Sequence, residues 1–217
     1  NVHFQPGVNE DLAATAVWGS QQTNLFAGAR YDGVFAMWYG KGPGVDRSMD
    51  VIKHANAFGT SRYGGVLAVA GDDHACKSST LPHQSEHAFD AAMIPVLYPT
   101  GVQEIIDLGL HGFAMSRFSG CYVAFKTISE TVDSSASIVI DPALPGIVLP
   151  GDVPEGRREL VQVAGRAAFA ALGLKAGASE RFEEALARYP DAPHLHYGYG
   201  GYLLQQGEEH AAAALEQ

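Results

Sequence analysis

Three observations predict an α/β fold with a doubly wound, mainly parallel sheet over residues 1–149. Apolar-rich runs of strand length recur at 34–39, 65–70, 94–98 and 121–126. Runs of this kind suit strands buried on both faces of a parallel sheet. Segments of helical period separate them, with short connections between. From residue 157 the chain becomes Ala-, Glu- and Leu-rich, which predicts an all-α helical-hairpin segment, with 150–156 (Pro, Gly, Asp, Val, Pro, Glu, Gly) as a linker.

Val2, His3 and Phe4 predict a short opening strand. Asn9 suits a helix N-cap, and Glu10 and Asp11 fall in the first turn, where the helix dipole favours negative charge. Leu12, Ala13, Ala16 and Val17 continue a helical period, so a helix is expected over 10–24. Two explanations stand for Glu10: capping chemistry alone, or a carboxylate held at a strand-to-helix junction to exchange a proton with a cofactor. Strand 34–39 then runs into a Gly-rich turn, 40–44, and a helix over 46–58. Strand 65–70 ends in Gly71, Asp72 and Asp73, and a polar, His-rich loop follows over 74–87. A short helix is expected over 87–93, then a strand over 94–98 with Pro95 near its start. The helix over 102–118 is expected to bury Ile105, Ile106, Leu108, Leu110, Phe113 and Met115, and the strand over 121–126 closes the set. In such sheets ligands bind beyond the carboxyl ends of the strands. Those ends are the loops at 7–10, 40–47 and 71–87.

The bulk properties exclude several classes. The 217 residues are 47% hydrophobic and 18% charged, normal for a packed globular chain. A net charge of −10 argues against nucleic acid or an anionic membrane as partner. Cys76 and Cys121 form no CxxC pair, so no disulfide framework and no Cys-rich zinc or iron–sulfur site is expected, and a reducing cytoplasm fits. No apolar run approaches the ~20 residues of a membrane span. The chain opens on Asn1 and closes on Gln217 within a helical pattern, so a piece of a longer protein is expected. Within 157–217, Phe169 aligns with Leu203, Gly173 with Gly207 and Ala178 with Ala212, a 34-residue period. Phe182, Ala185 and Pro190 fit a second helix and its terminating proline. That period is the signature of tetratricopeptide repeats, here about one and two-thirds of them. Such a segment could recruit a peptide, which makes a non-catalytic binding module the alternative to an enzyme.

The loop 72–87 carries most of the unusual chemistry. His83-Gln84-Ser85-Glu86-His87 matches H-x-x-E-H, the inverted zinc-peptidase pattern, which requires both histidines on one helical face. Five-residue matches also arise by chance. A hydrolase built on Cys76 or Ser79 with His74 or His83 lacks a G-x-S-x-G elbow. A polar loop whose groups bond one another is the plain alternative. Gly40-Lys41-Gly42-Pro43-Gly44 lacks the order of a phosphate-binding loop. It reads as a tight turn with glycines at φ > 0, or as close backbone approach to a flat ring. Trp38 and Tyr39 read as core or pocket wall.

Three stretches match a known family in order and at the right spacing: Val8 to Ala16, Met37 to Arg47, and Ala70 to His74 continuing through Ser78 to Glu86. Together they resemble the pyrimidine-binding domain of the fused-chain indolepyruvate ferredoxin oxidoreductase, a thiamine-diphosphate enzyme, over about residues 3–149. The resemblance implies that Glu10 bonds the pyrimidine ring of thiamine diphosphate in a dry pocket that favours its protonated form. Gly40, Lys41, Gly42 and Pro43 would line that ring. Asp72, Asp73, His74, Lys77, Ser79, His83 and Gln84 would lie on the substrate side. A 2-oxoacid would be decarboxylated, electrons would pass to iron–sulfur clusters and ferredoxin, and coenzyme A would take the acyl group. The chain has no G-D-G with a downstream Asn to hold magnesium and diphosphate. Mg2+, the diphosphate site and the clusters are therefore expected from another domain or subunit. A homo-oligomer without turnover of its own is expected.

Overall fold

The computed structural model describes residues 2–141, 146–149 and 187. The chain divides into two units, Asn1–Val153 and Pro154–Gln217. The linker over 150–156 and the repeats expected over 157–217 lie outside the described residues, Ala187 apart.

The described part of the first unit runs α1 (Glu10–Gln21), a 3-10 turn (Thr23–Leu25), β1 (Phe35–Lys41), α2 (Gly42–Phe58), β2 (Gly65–Asp72), α3 (Glu86–Ala91), β3 (Val96–Leu97), α4 (Val102–Ser119), β4 (Val123–Ile128) and α5 (Ser129–Val132). Four strands form one sheet in the order β1-β2-β4-β3. Every pairing is parallel, with Trp38 opposite Ala68, Ala68 opposite Ala124, and Val96 also opposite Ala124. The order explains where the helices lie. From β1 to β2 and on to β3 the chain moves one way across the sheet, and from β3 to β4 it steps back. Right-handed crossovers then demand that the returning helix, α4, lie on the opposite face from α2 and α3. The packing agrees. Trp38, Val66, Ala68 and Ala124 share a buried cluster with Ala14 of α1, Val45 and Ile52 of α2, and Phe89 of α3. On the other face α4 comes so close at Gly112 that a Cβ there would lie 2.7 Å from Leu67 Cδ2. The fold is an α/β layer with a parallel sheet and helices on both faces.

Several boundaries depart from the expectations. No strand forms at 2–4: Val2 and Phe4 are exposed and pair with nothing that would hold a ladder. The Gly-rich segment is no separate turn. Gly40 and Lys41 end β1, and α2 begins at Gly42 with Pro43 in its first turn, where a missing N–H costs nothing. The strand expected at 94–98 shrinks to Val96–Leu97, since Pro95 has no N–H to give, although its carbonyl accepts from Ala124 N at 2.9 Å. The last strand slides to Val123–Ile128. In α4 the buried positions are Gly112 and Ser116, while Ile106 and Leu110 are 36% and 48% exposed. Ser116 Oγ accepts from Val66 N at 2.8 Å and donates to Cys121 O at 2.6 Å, stitching the helix to two strand starts. Helix α4 covers β2 and β4 but reaches β1 at Phe35, whose ring meets Phe113 edge-on at 5.3 Å, so Phe35, Met37 and Tyr39 stay 50%, 56% and 64% exposed. Tyr39 is therefore no core residue. Among the described residues no helix is long and apolar enough to cross a membrane.

Candidate functional site

Parallel pairing brings the carboxyl ends of β1, β2 and β4 to one edge, and α1 starts at that same edge. Asn9 caps α1 by accepting from Leu12 N at 2.9 Å, which places Glu10 at the first helical residue. The buried Trp38 of β1 donates from Nε1 to Glu10 O at 3.0 Å, fixing the backbone beneath the carboxylate. Gly44 makes room for the side chain, and Gly40 lies at ordinary contact distance from it. A Cβ at Gly44 would lie 2.7 Å from Glu10 Cγ, and one at Gly40 would lie 3.5 Å from it. The described residues give the carboxylate one partner, Arg47 Nη1 at 3.5 Å from Oε2. Arg47 is held more firmly by Asp11, with Nε 2.8 Å from Oδ1, and Ser48 Oγ donates to the same oxygen at 3.3 Å. The Glu10 side chain is 37% exposed, so the dry pocket expected around it is not formed by the described residues.

The glycines of 40–44 act by close approach. Positive φ among the described glycines occurs at Gly28, Gly59 and Gly120, not here. What approaches is side chain: the Glu10 stem at Gly44, and at Gly42 the ring of His83, whose Nδ1 would lie 2.0 Å from a Cβ. Pro43 sits between them. Segments 7–10, 40–47 and 71–87 thus meet at one sheet edge, although 7–10 follows no strand and 40–47 is the end of β1 and the start of α2.

Loop 73–85 is held down from both ends. Asp72, closing β2, has no side-chain exposure. It accepts from Ser85 N at 2.8 Å and from Ser85 Oγ at 2.6 Å. Lys126 of β4, 1% exposed, places Nζ 3.5 Å from Asp72 Oδ2 and bonds Glu86 Oε1, with the Tyr98 ring centroid 4.8 Å away. Burial by itself would raise the Glu86 pKa, but the Lys126 ammonium outweighs it and the carboxyl lies below its ordinary value. Asp73 folds its carboxylate back on the loop, accepting from Ser78 N at 2.6 Å and Lys77 N at 2.7 Å. Those two N–H groups lower its pKa, Ser78 most. His83 Nε2 lies 2.7 Å from Asp46 Oδ2 on α2, and Lys41 Nζ donates to Ser78 O at 2.7 Å.

The remaining predicted site residues scatter. Lys77 turns to α5, donating to Ser129 Oγ at 3.1 Å and Glu130 Oε1 at 3.0 Å. His74 is exposed near Glu86, and Gln84 is exposed. Ser79 Oγ is buried without a hydrogen-bond partner. The zinc-peptidase arrangement is not met: His83 precedes α3 and is paired with Asp46, Glu86 is paired with Lys126, and no group of three potential ligands occurs among the described residues. Nor does a nucleophile–histidine pair form, since Cys76 Sγ donates to Ser79 O at 2.7 Å. Short sequence motifs do not mark Asp46, Arg47, Ser85 or Lys126 as site residues. For Lys126 the available signal was a lysine inside an otherwise apolar strand run.

No protein-family model matches the chain, and no solved structure does. The chain is similar to the indolepyruvate oxidoreductase subunit IorA of Pyrococcus horikoshii and to that of Pyrococcus abyssi. Each is 28% identical over 131 residues, which covers 60% of this chain and 19% of the relative. The chain therefore matches about a fifth of the length of these relatives.

Proposed function

We propose that residues 1–149 are the pyrimidine-binding domain of a thiamine-diphosphate-dependent 2-oxoacid oxidoreductase of the indolepyruvate ferredoxin type, with Glu10 as its activating carboxylate. The observation that carries this reading is the seat of Glu10. Its backbone is tied to the buried Trp38, its stem lies against Gly44 and Gly40, and its carboxylate is 37% exposed at the carboxyl edge of the sheet. A flat ring nitrogen could bond that carboxylate, and the bare glycine backbone allows the ring to approach, so the residues fit the group. When bound, the cofactor supplies the electron sink for decarboxylation of a 2-oxoacid. Glu10 would hold a proton against the ring and pass it back as the ring's charge changes. Arg47, fixed by Asp11, would keep the carboxylate aimed across the gap. Gly40, Lys41, Gly42 and Pro43 would line the ring. His83 and Asp72 would sit on the substrate side, while Asp73, His74, Lys77, Ser79 and Gln84 would shape the loop around them.

With about a fifth of these relatives matched, further parts of the site would lie outside this chain. The diphosphate and Mg2+ would be held by a further domain or subunit, and iron–sulfur clusters there would pass electrons to ferredoxin. The assembly would be cytoplasmic, and tetratricopeptide-like repeats over 157–217 would tether it. Glu10→Gln in the complete enzyme tests the reading. Turnover of indolepyruvate should fall by about 10²–10⁴-fold, the usual worth of a positioned acid–base group. Undiminished turnover would rule the role out. The isolated chain, given thiamine diphosphate and magnesium, should release no carbon dioxide from indolepyruvate.

A further inference from the structure

We propose that Lys126 is a positioning residue. Through Asp72 it holds loop 73–85 down so that His83 stays seated on the first turn of α2, the turn that receives Glu10. Only the catalytic consequence rests on the proposed role of Glu10.

Lys126 is an ammonium buried within β4, and taking such a charge out of water is costly even when it is paired. An apolar side chain of similar length would fill the space at less cost. What the charge adds is direction. Lys126 reaches carboxylates on two other elements, Asp72 of β2 and Glu86 of α3, and selects one placement of each. Asp72 spends both oxygens on Ser85, so the far end of the loop cannot lift without breaking two hydrogen bonds to a buried carboxylate. Two residues before Ser85, His83 N donates to Asp73 O at 3.1 Å, which fixes the backbone that carries the ring.

The ring then bridges to α2. It lies flush on Gly42, where no other residue would leave room, and Nε2 is 2.7 Å from Asp46 Oδ2. His83 Nδ1 is buried, makes no hydrogen bond, and faces Asp72 Oδ1 at 3.6 Å. Lys126, Asp72, His83 and Asp46 therefore alternate cation, anion, imidazole and anion from β4 to α2. An imidazolium would direct one N–H toward each carboxylate. Gly42 and Gly44 share one helical turn, so the His83 ring and the Glu10 stem rest on neighbouring positions of α2. A displacement on the order of 1 Å at a reacting group can cost about 10²-fold in rate.

Two measurements test this. Amide hydrogen exchange on the 217-residue chain reads the loop directly. Lys126→Met should speed exchange at Ser78, His83 and Ser85 by about tenfold or more, while the centre of β2 stays protected. Lys126→Arg should restore part of the protection. Asp46→Ala cuts the link at an exposed carboxylate, poses little risk to folding, and should speed exchange at His83. Unchanged exchange at Ser78, His83 and Ser85 in Lys126→Met would overturn the proposal. If Lys126→Met does not fold, Lys126→Gln, which also removes the charge, decides by the same readout. In the complete enzyme with indolepyruvate, Lys126→Met should lower kcat about 10–100-fold with KM little changed, and Lys126→Arg should recover part of it. A loosened loop with undiminished kcat would overturn the positioning role. Full turnover in Glu10→Gln would instead remove the proposed role of Glu10 and leave the exchange measurement to judge Lys126.

Discussion

Glu10 and Asp72 stand at the same carboxyl edge of the sheet, one opening a helix and the other closing a strand. Glu10 is 37% exposed, with one arginine at 3.5 Å. The side chain of Asp72 has no exposure and meets a serine through both oxygens, a buried ammonium at 3.5 Å and an imidazole at 3.6 Å. An exposed ion pair gains little in water, whereas a buried one contributes only when every partner is in place and fails badly when one is removed. The first carboxylate is thus open at the sheet edge, and the second is committed to holding loop 73–85.

Substitutions that exchange these two characters test the contrast. Asp72→Ala should have the largest effect, about 3–5 kcal/mol of stability, because it strands Lys126 without its buried partner. Urea unfolding of the chain measures it, and a loss under 1 kcal/mol would erase the distinction. Next comes Gly42→Ala, whose Cβ would lie 2.0 Å from a ring pinned to Asp46, with an expected cost of about 1–3 kcal/mol. Gly44→Ala should cost less. The Glu10 stem can swing aside, and a helical alanine gains up to about 1 kcal/mol over glycine. It should leave the melting temperature nearly unchanged while turnover of the complete enzyme falls, separating the two residues' duties. Arg47→Ala should change stability by less than about 1 kcal/mol, since its partners are part-exposed. The smallest effect lies at low pH. Asp73 and Glu104 have folded pKa values below their ordinary 3.8 and 4.5. Glu104 is lowered by the Thr100 N–H and hydroxyl. Their contribution is present above those ordinary values and is lost as pH falls from about 4.5 through the lower folded values. Glu104→Gln should make the acid limb of a melting-temperature profile shallower, and an unchanged limb would assign it to other carboxylates.

Much of the frame was legible in the sequence because strand runs and helical periods are local signals. Asn9 as cap, Glu10 in the first turn, and β1 and β2 within a residue or two all follow from patterns a few residues long. Partner identity was not legible, since it depends on residues far apart in the chain. Nothing near Asp72 in sequence announces Lys126, and nothing near Gly42 announces a histidine 41 positions later. The bare glycines of 40–44 were read as room for a flexible backbone or a ligand. Two of them are room for the chain's own side chains. The described residues leave Glu10 37% exposed, and a local run does not show which neighbours would complete a pocket around it.

The exposed side of β1 bears on how this chain can be handled as a material. Phe35, Met37 and Tyr39 present alternate apolar side chains, each at least half exposed, along a strand that borders the sheet among the described residues. Such a surface favours self-association and lowers solubility. It also lies on the sheet face opposite the cluster that supports Glu10. Polar replacements at Met37 and Tyr39 are therefore a route to a better-behaved chain with its carboxyl edge intact, and their tolerance in the complete enzyme would reveal whether that flank is normally covered.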